Sequence, residues 1–196
     1  MTRHYDKSRS WINSLKQKEP EMALKGKFTV NDADYSPLLI YGIGTFMAFS
    51  GNREYRNRAG CIAVPDNGPI PEGVYHIVKR PTGGWKGIIR TDMHDFYSWP
   101  GSTPVIRYEW FALYRDDGKI DDHTWVNNVK RGNFRLHPRG PLGISLGCIT
   151  LQHRTDFIAI RQALLYTPQV NLPNGLISYG TIEVVLNGSK TCPGGV

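Results

Sequence analysis

The chain has 196 residues, enough for one domain with a full core. Its composition, with 40% hydrophobic and 21% charged residues, excludes global disorder. Its 21 glycines and 13 prolines favour many short strands over long helices. The longest apolar run, residues 37–49, is too short and too interrupted by glycine to cross a bilayer, so no membrane span is expected.

The net charge of +7 is concentrated at one end, because the first 27 residues carry seven positive and three negative side chains. These cations are not interleaved with aromatic residues as base stacking requires, so we do not expect a nucleic-acid partner. Attraction to a polyanionic cell envelope would use the same electrostatics. The N-terminus has no signal-peptide h-region, which predicts synthesis in the cytoplasm without a cleaved signal.

In chain order, a polar basic lead-in over residues 1–26 is followed by short β-like runs separated by turn-forming clusters. The predicted strands are residues 45–50, 74–79, 105–115, 132–137, 145–151 and 181–186. One helix is predicted over residues 156–166, capped by Thr155 or Asp156 and ended by Pro168. Its apolar stripe consists of Phe157, Ile160 and Leu164. The pattern indicates one mainly β domain, a sandwich or open barrel, with a helix after the strand that carries Cys148.

Three cysteines, Cys61, Cys148 and Cys192, cannot all pair within one chain. A disulfide between Cys61 and Cys192 is permissible, but the sequence leaves that pairing open. No cysteine has the spacing of a zinc site, and we expect neither a metal nor an organic cofactor.

Residues 132–151, GNFRLHPRGPLGISLGCITL, place His137 on a strand-like run and Cys148 on the next one. A thiol is a nucleophile only as its thiolate, and a neutral imidazole nearby can take its proton. Gly147 permits a tight turn immediately before the cysteine. The segment therefore predicts a Cys/His acyl-transfer site.

The period of two along these strands assigns their faces. On the first strand Phe134 and Leu136 would be core, while Asn133, Arg135 and His137 would share the polar face. On the second strand Ile149 and Leu151 would point inward, with Cys148 and Thr150 on the opposite face. Pairing of the two strands would then bring the imidazole and the thiol together.

Other interpretations of these residues remain open. Cys148 could be a small buried hydrophobe and His137 a surface histidine. His153 is a second candidate base, although at a strand-to-helix turn it would point away. Cys61 is interpreted as structural. Two clusters in polar turns look like metal ligands but are better explained as solvated loops: His94 with Asp92 and Asp95, and His123 with Asp121 and Asp122.

The order of His137, a Gly/Pro spacer and the sequence S-x-G-C resembles the catalytic motif of the L,D-transpeptidase (YkuD-like) superfamily. That motif consists of a His, a longer spacer and then [S/T]-H-G-C-x-[N/R]. Leu146 and Thr150 stand where that motif has its second His and its Asn or Arg. The chain is similar to a divergent branch that includes type VI secretion L,D-transpeptidase effectors, and the similarity covers residues 45–186. That branch also has an aromatic-Ser-Gly strand, a GPIPxGxY turn and the run FxLYRDDGxxDDxT…RGNFRLHP…SxGCI, found here at residues 49–51, 68–75, 111–124, 131–138 and 145–149.

The resemblance implies a role for each matching residue. Cys148 would be the nucleophile and His137 its general base, oriented by a backbone carbonyl in place of the missing second His. Gly147 would permit the tight backbone, and the Cys148 N–H with a neighbouring amide would form an oxyanion hole. Arg135 and Ser145 would position substrate or orient the imidazole. An L,D-transpeptidase-like domain would occupy residues 27–190, with residues 191–196 as a tail.

The implied activity is on the peptide stems of peptidoglycan. Cys148 would attack the third residue of a tetrapeptide and expel the terminal D-Ala, and the thioester would pass to water (L,D-carboxypeptidase) or to a D-amino acid (L,D-transpeptidase). The implied partners are stem peptides, a secretion machine and a cognate immunity protein, with delivery to the periplasm of a target bacterium. Alternatives are a cysteine peptidase or amidase that cuts elsewhere in the stem, although papain-like and NlpC/P60-like enzymes place Cys before His, and a non-catalytic cell-wall-binding module.

Overall fold

The computed structural model describes residues 23–80 and 106–193. Most of the predicted lead-in, the cluster of His94 with Asp92 and Asp95, and residues 194–196 lie outside the described residues. The sheet begins at Leu24, so it includes the end of the segment interpreted as lead-in.

Eleven strands and one α-helix make up the described ranges. The strands are β1 (Leu24–Val30), β2 (Ser36–Ile40), β3 (Gly44–Phe49), β4 (Gly73–Lys79), β5 (Phe111–Arg115), β6 (His123–Val126), β7 (Val129–Gly132), β8 (Arg135–Pro138), β9 (Ile149–Leu151), β10 (Val170–Asn171) and β11 (Ile177–Leu186). The helix, α1, is Arg154–Tyr166. In the described part of the predicted run 105–115, the chain is extended from Phe111 onward, after a 3-10 turn at Arg107–Glu109.

Eight strands close into a barrel in the order β1-β2-β3-β9-β8-β5-β4-β11, with β11 pairing back to β1 in parallel. Strand β10 extends the end of β11, and β6 with β7 forms a separate hairpin. The predicted mainly β fold with a helix directly after the cysteine strand is confirmed. Of the two architectures expected, it is the barrel, and it is closed, so each of the eight strands has a partner strand on both sides.

The contact between β1 and β11 depends on one glycine. Gly180 lies opposite Leu24 at a φ of +157°, and a Cβ there would collide with the Leu24 backbone. Because only glycine allows this close approach, β11 can pair with β4 on one side and β1 on the other. The closed barrel thus follows in part from this position.

Helix α1 covers the core next to the cysteine strand. Its predicted stripe is fully buried: Phe157, Ile160 and Leu164. The predicted cap is wrong, because the helix starts earlier: His153 is the N-cap and makes no side-chain capping bond. Instead the Arg154 guanidinium lies 2.8 Å from the Glu109 carboxylate, which ties the first turn to the segment before β5. No helix in the described ranges is long and apolar enough to cross a membrane.

The pairing of cysteines left open by the sequence is resolved. Cys61 and Cys192 form a disulfide with their Cα atoms 4.8 Å apart, and Cys148 remains free. The bridge spans 131 residues of sequence and ties the end of the chain to the turn at Ala59–Cys61. Closing a loop of this size lowers the conformational entropy of the denatured chain. The disulfide is therefore predicted to stabilise the folded protein by about 5 kcal/mol.

We therefore expect the double variant Cys61→Ser/Cys192→Ser to lose roughly 2–5 kcal/mol of unfolding free energy. Guanidinium unfolding followed by circular dichroism measures this loss, and reduction of the parent protein should reproduce it without a change of side-chain volume. Cys148→Ser, which keeps the bridge, is the control. Equal unfolding midpoints in the parent and the double variant would contradict the assignment.

Candidate active site

The site is built on strands β8 and β9, which run side by side in parallel. Leu136 pairs with Ile149, and His137 pairs with Thr150. The predicted inward faces are confirmed, since four residues are at most 2% exposed: Phe134, Leu136, Ile149 and Leu151. The opposite faces are left for the functional side chains.

Strand β8 starts later than predicted, at Arg135. Asn133 has a φ of +57°, which breaks the extended run and separates β7 from β8. Its N–H donates to the Asp122 carbonyl at 3.0 Å, and its own carbonyl accepts from the Cys148 thiol at 3.7 Å. The break therefore places a backbone acceptor beside the sulfur.

Cys148 lies at the edge of the interior, with 9% of its surface exposed. Burial raises the pKa of the thiol to about 11, and this outweighs stabilisation of the thiolate by the backbone N–H and the charge of Arg135. At neutral pH the sulfur carries its proton, so attack on a carbonyl requires a base.

His137 is buried, and its ring is held at both nitrogens. Nδ1 lies 2.8 Å from the Pro138 carbonyl, which can only accept, so Nδ1 carries the proton. Nε2 is then the basic nitrogen, and it lies 3.2 Å from the Thr150 hydroxyl. Burial lowers the pKa of the imidazole to about 4. The expected orientation by a backbone carbonyl is present, and the ring is a neutral base at physiological pH.

His137 lies on the face of β8 that was predicted to be polar, but an aromatic residue covers its ring. The Trp110 ring stacks on the imidazole at 4.2 Å between centroids and 18° between planes. Only 6% of His137 is exposed. Trp110 lies just before β5, and no local pattern in the sequence connects it with a residue on β8.

Cys148 and His137 line the same cleft, of about 470 Å³, but no hydrogen bond joins Sγ to the imidazole in the described part of the chain. The strand register explains this. The partner of His137 across the ladder is Thr150, and Cys148 is two positions before Thr150, so the thiol and the imidazole are diagonal neighbours.

The side chain of Ser50 fixes the orientation of the peptide between Gly147 and Cys148. Gly147 has a φ of +93°, and a Cβ there would lie 2.8 Å from the Phe134 ring. The Ser50 hydroxyl donates to the Gly147 carbonyl at 3.1 Å and accepts the Ile70 N–H at 2.7 Å. Because C=O and N–H point in opposite directions in a trans peptide, Ser50 directs the Cys148 N–H away from itself.

Two buried side chains complete this support. Ser145 donates to the Cys148 carbonyl at 2.8 Å, so its contact is with the backbone of the cysteine. Arg131 is 4% exposed, donates to the carbonyls of Ile62 and Gly68, and lies over the Phe134 ring. Arg131 thereby connects the predicted GPIP turn, which begins at Gly68, to the Phe134 ring that contacts Gly147. The roles of Ser50 and Arg131 depend on contacts with distant segments, which local sequence pattern does not reveal.

Arg135 faces the cleft and forms a two-pronged ion pair with Asp122, at 2.6 and 2.7 Å. Asp121, from the same cluster, lies 3.1 Å from Lys119 and accepts the His123 N–H. The carboxylates of Asp121 and Asp122 therefore bind basic side chains and a backbone N–H of the protein itself. His153 is exposed and does not line the cleft that contains His137.

Comparison with known proteins gives one match. The sequence model of the family described as the Tlde1 domain matches residues 44–175, more than half of the chain and the part that contains both His137 and Cys148. Neither the curated proteins nor the solved structures that were compared gave a match. The chain therefore belongs to the Tlde1 domain family, a family of type VI secretion effectors.

Proposed function

We propose that this effector is a cysteine-dependent L,D-carboxypeptidase and L,D-transpeptidase that acts on tetrapeptide stems of peptidoglycan. The proposal depends on one observation. A free cysteine lines the same cleft as a neutral histidine whose basic nitrogen is Nε2. The cleft volume of about 470 Å³ is within the range of small-ligand sites and admits a short peptide.

The first step forms a thioester. Sγ of Cys148 attacks the carbonyl of the third stem residue, and its proton passes to Nε2 of His137. The resulting oxyanion is stabilised by the Cys148 N–H, whose direction is set through Ser50. The C–N bond to the terminal D-Ala then breaks, and the imidazolium returns the proton to the departing amine.

The second step releases the acyl group. Water attack gives the shortened stem, and attack by a D-amino acid gives exchange. In both cases Nε2 accepts a proton from the incoming nucleophile as the thioester opens, and the thiol recovers it. These steps use no metal or organic cofactor. Delivery to the periplasm of target bacteria by a secretion machine, and a cognate immunity protein in the producer, belong to the same proposal.

Both groups start neutral, because burial raises the pKa of the thiol and lowers that of the imidazole. Proton transfer from Sγ to Nε2 must therefore accompany attack, directly or through one bridging water molecule. The Thr150 hydroxyl, 3.2 Å from Nε2, holds the ring until then.

Mass spectrometry of muropeptides tests the reaction. We expect tetrapeptide stems to lose the terminal D-Ala, or to exchange it when a D-amino acid is added. Cys148→Ser should abolish turnover, and His137→Ala should lower it by about 10²–10⁴-fold while the fold is retained. His153→Ala, which changes an exposed histidine outside the cleft, is the control. A cut nearer the sugar would indicate an amidase or peptidase instead, and full function in Cys148→Ser would indicate a binding module.

Alkylation by iodoacetamide tests the state of the thiol. Burial raises the pKa of Cys148 to about 11, so the thiolate fraction and the alkylation rate should still be rising above pH 9. In denaturant the same cysteine should titrate near its ordinary pKa of about 8.5. The two bridged cysteines do not react. A midpoint below about 8.5 in the folded protein would indicate a resting thiolate–imidazolium pair and contradict this mechanism.

Ser50→Ala tests the role assigned to the peptide before the cysteine. The kcat should fall by about 10–100-fold with little change in KM, because the oxyanion donor loses its orientation but the cleft is untouched. Ser36→Ala is a matched control, since Ser36 is equally buried but bonds to Asn31. Similar kcat values in the two variants would show that the Ser50 hydroxyl contributes only to stability.

A further inference from the structure

A second cavity, of about 260 Å³, adjoins the cleft that contains Cys148 and His137. Four described residues line both spaces: Asp66, Gly132, Asn133 and Leu146. The second cavity is also lined by His123, Lys130 and Arg131, so it extends from the cleft along β7 toward the tip of the β6–β7 hairpin. A substrate bound in the cleft can therefore continue along this hairpin.

The register of the hairpin identifies the side chains that border this path. His123 pairs with Gly132, and two positions further along Trp125 pairs with Lys130, so all four residues belong to one face of the hairpin. The imidazole of His123 lies over Gly132, since a Cβ at that glycine would be 2.7 Å from Nδ1. Three of the four residues line the second cavity. Trp125 is the fourth, directly opposite Lys130.

The other face of the hairpin is anchored to the barrel. Thr124 and Arg131 pair with each other and are 3% and 4% exposed. The Thr124 hydroxyl donates to the Asp117 carboxylate, and Arg131 donates to the GPIP turn beside the cleft. The two-residue turn has a φ of +49° at Asn127 and +63° at Asn128, as a type I′ turn requires. The face that carries Trp125 is therefore held in a fixed position relative to the cleft.

The Trp125 ring is 64% exposed, although it is attached to an anchored strand beside a cavity. Such a ring can bury a large apolar area against a flat ligand at little cost in side-chain freedom. The side chains on the same face, Lys130 and His123, are polar. An aromatic plane bordered by polar groups fits a sugar ring, because one face of a pyranose presents C–H groups and its edge presents hydroxyl groups.

We propose that Trp125 stacks on a sugar of the glycan to which the stem peptide is attached, and that the stem lies along the second cavity. This inference rests on the proposed function, in which Cys148 attacks the third stem residue. The stem is joined to the glycan at its N-terminal end, so the residues before the scissile bond lead back to the sugar. The cleft thus holds the scissile bond, and the hairpin holds the carbohydrate.

The arrangement gives selectivity for stems that are still attached to glycan. A free tetrapeptide would fill the cleft but would have no sugar to place on Trp125. The sugar belongs to the acyl group, which stays on Cys148 after D-Ala has left. Trp125 would therefore affect formation of the thioester, and it would leave the ratio of hydrolysis to D-amino acid exchange unchanged.

Steady-state release of D-Ala from two substrates tests the proposal, a free tetrapeptide and the same tetrapeptide linked to its disaccharide. The parent should prefer the disaccharide substrate by about 10-fold in kcat/KM, mainly through KM, as expected for an aromatic residue that anchors a ligand. Trp125→Thr, which keeps the strand propensity of the position, should remove this preference without changing the rate on the free tetrapeptide. Trp125→Tyr should retain most of it. Tyr166→Ala, which removes an exposed aromatic ring outside both cavities, is the control.

The outcomes separate this proposal from the function on which it rests. Cleavage of neither substrate by the parent would overturn the proposed function and the glycan subsite with it. Equal kcat/KM values on the two substrates, or equal losses on both in Trp125→Thr, would overturn the subsite and leave the function standing. Calorimetry on Cys148→Ala measures binding without turnover. The disaccharide substrate should bind about 10-fold more tightly than the free tetrapeptide, and adding Trp125→Thr should abolish that difference.

Discussion

The parallel pairing of β8 with β9 is the constraint on which the site depends. It places His137 opposite Thr150 and leaves Cys148 diagonal to the imidazole. The register is strongly fixed, because the alternate positions of both strands are buried in the core, and a slip of one residue would turn every side chain to the other face. The neighbours of the pair hold it as well, since β9 also bonds β3 and β8 also bonds β5 in a closed barrel.

Burial of Cys148 and His137 has a chemical consequence. A cysteine peptidase whose thiol rests as a thiolate beside an imidazolium is reactive at all times. Here the Trp110 ring covers His137 and the thiol is 9% exposed, so both groups rest uncharged. A neutral thiol is oxidised slowly, which suits a protein that must keep one cysteine free while Cys61 and Cys192 are bridged. In the proposed mechanism, activation would then come from substrate in the cleft, where Ser50 already orients the Cys148 N–H.

Features that depend on interactions between residues close in sequence could be predicted, and features that depend on contacts between distant segments could not. Alternation over a few residues was enough to assign the inward faces of β8 and β9 and the stripe of α1, because local periodicity and burial agree there. Strand β1 carries the same signal, with Leu24, Phe28 and Val30 buried, but its first three residues were assigned to the lead-in over residues 1–26, and no strand was predicted before residue 45. The stack of Trp110 on His137 and the bond from Ser50 to Gly147, which spans 97 residues, were beyond prediction because they depend on barrel closure.

The backbone of the fold itself supplies the group that orients His137. The Pro138 carbonyl that fixes the imidazole belongs to the same peptide as the Arg139 N–H, and that N–H donates to the Leu151 carbonyl at 2.9 Å. Because the two ends of a trans peptide point in opposite directions, the bond to β9 turns the Pro138 carbonyl back toward Nδ1. The same ladder that sets the strand register therefore also sets the tautomer of His137, so the imidazole is oriented although Leu146 stands where the motif that the sequence resembles has a histidine.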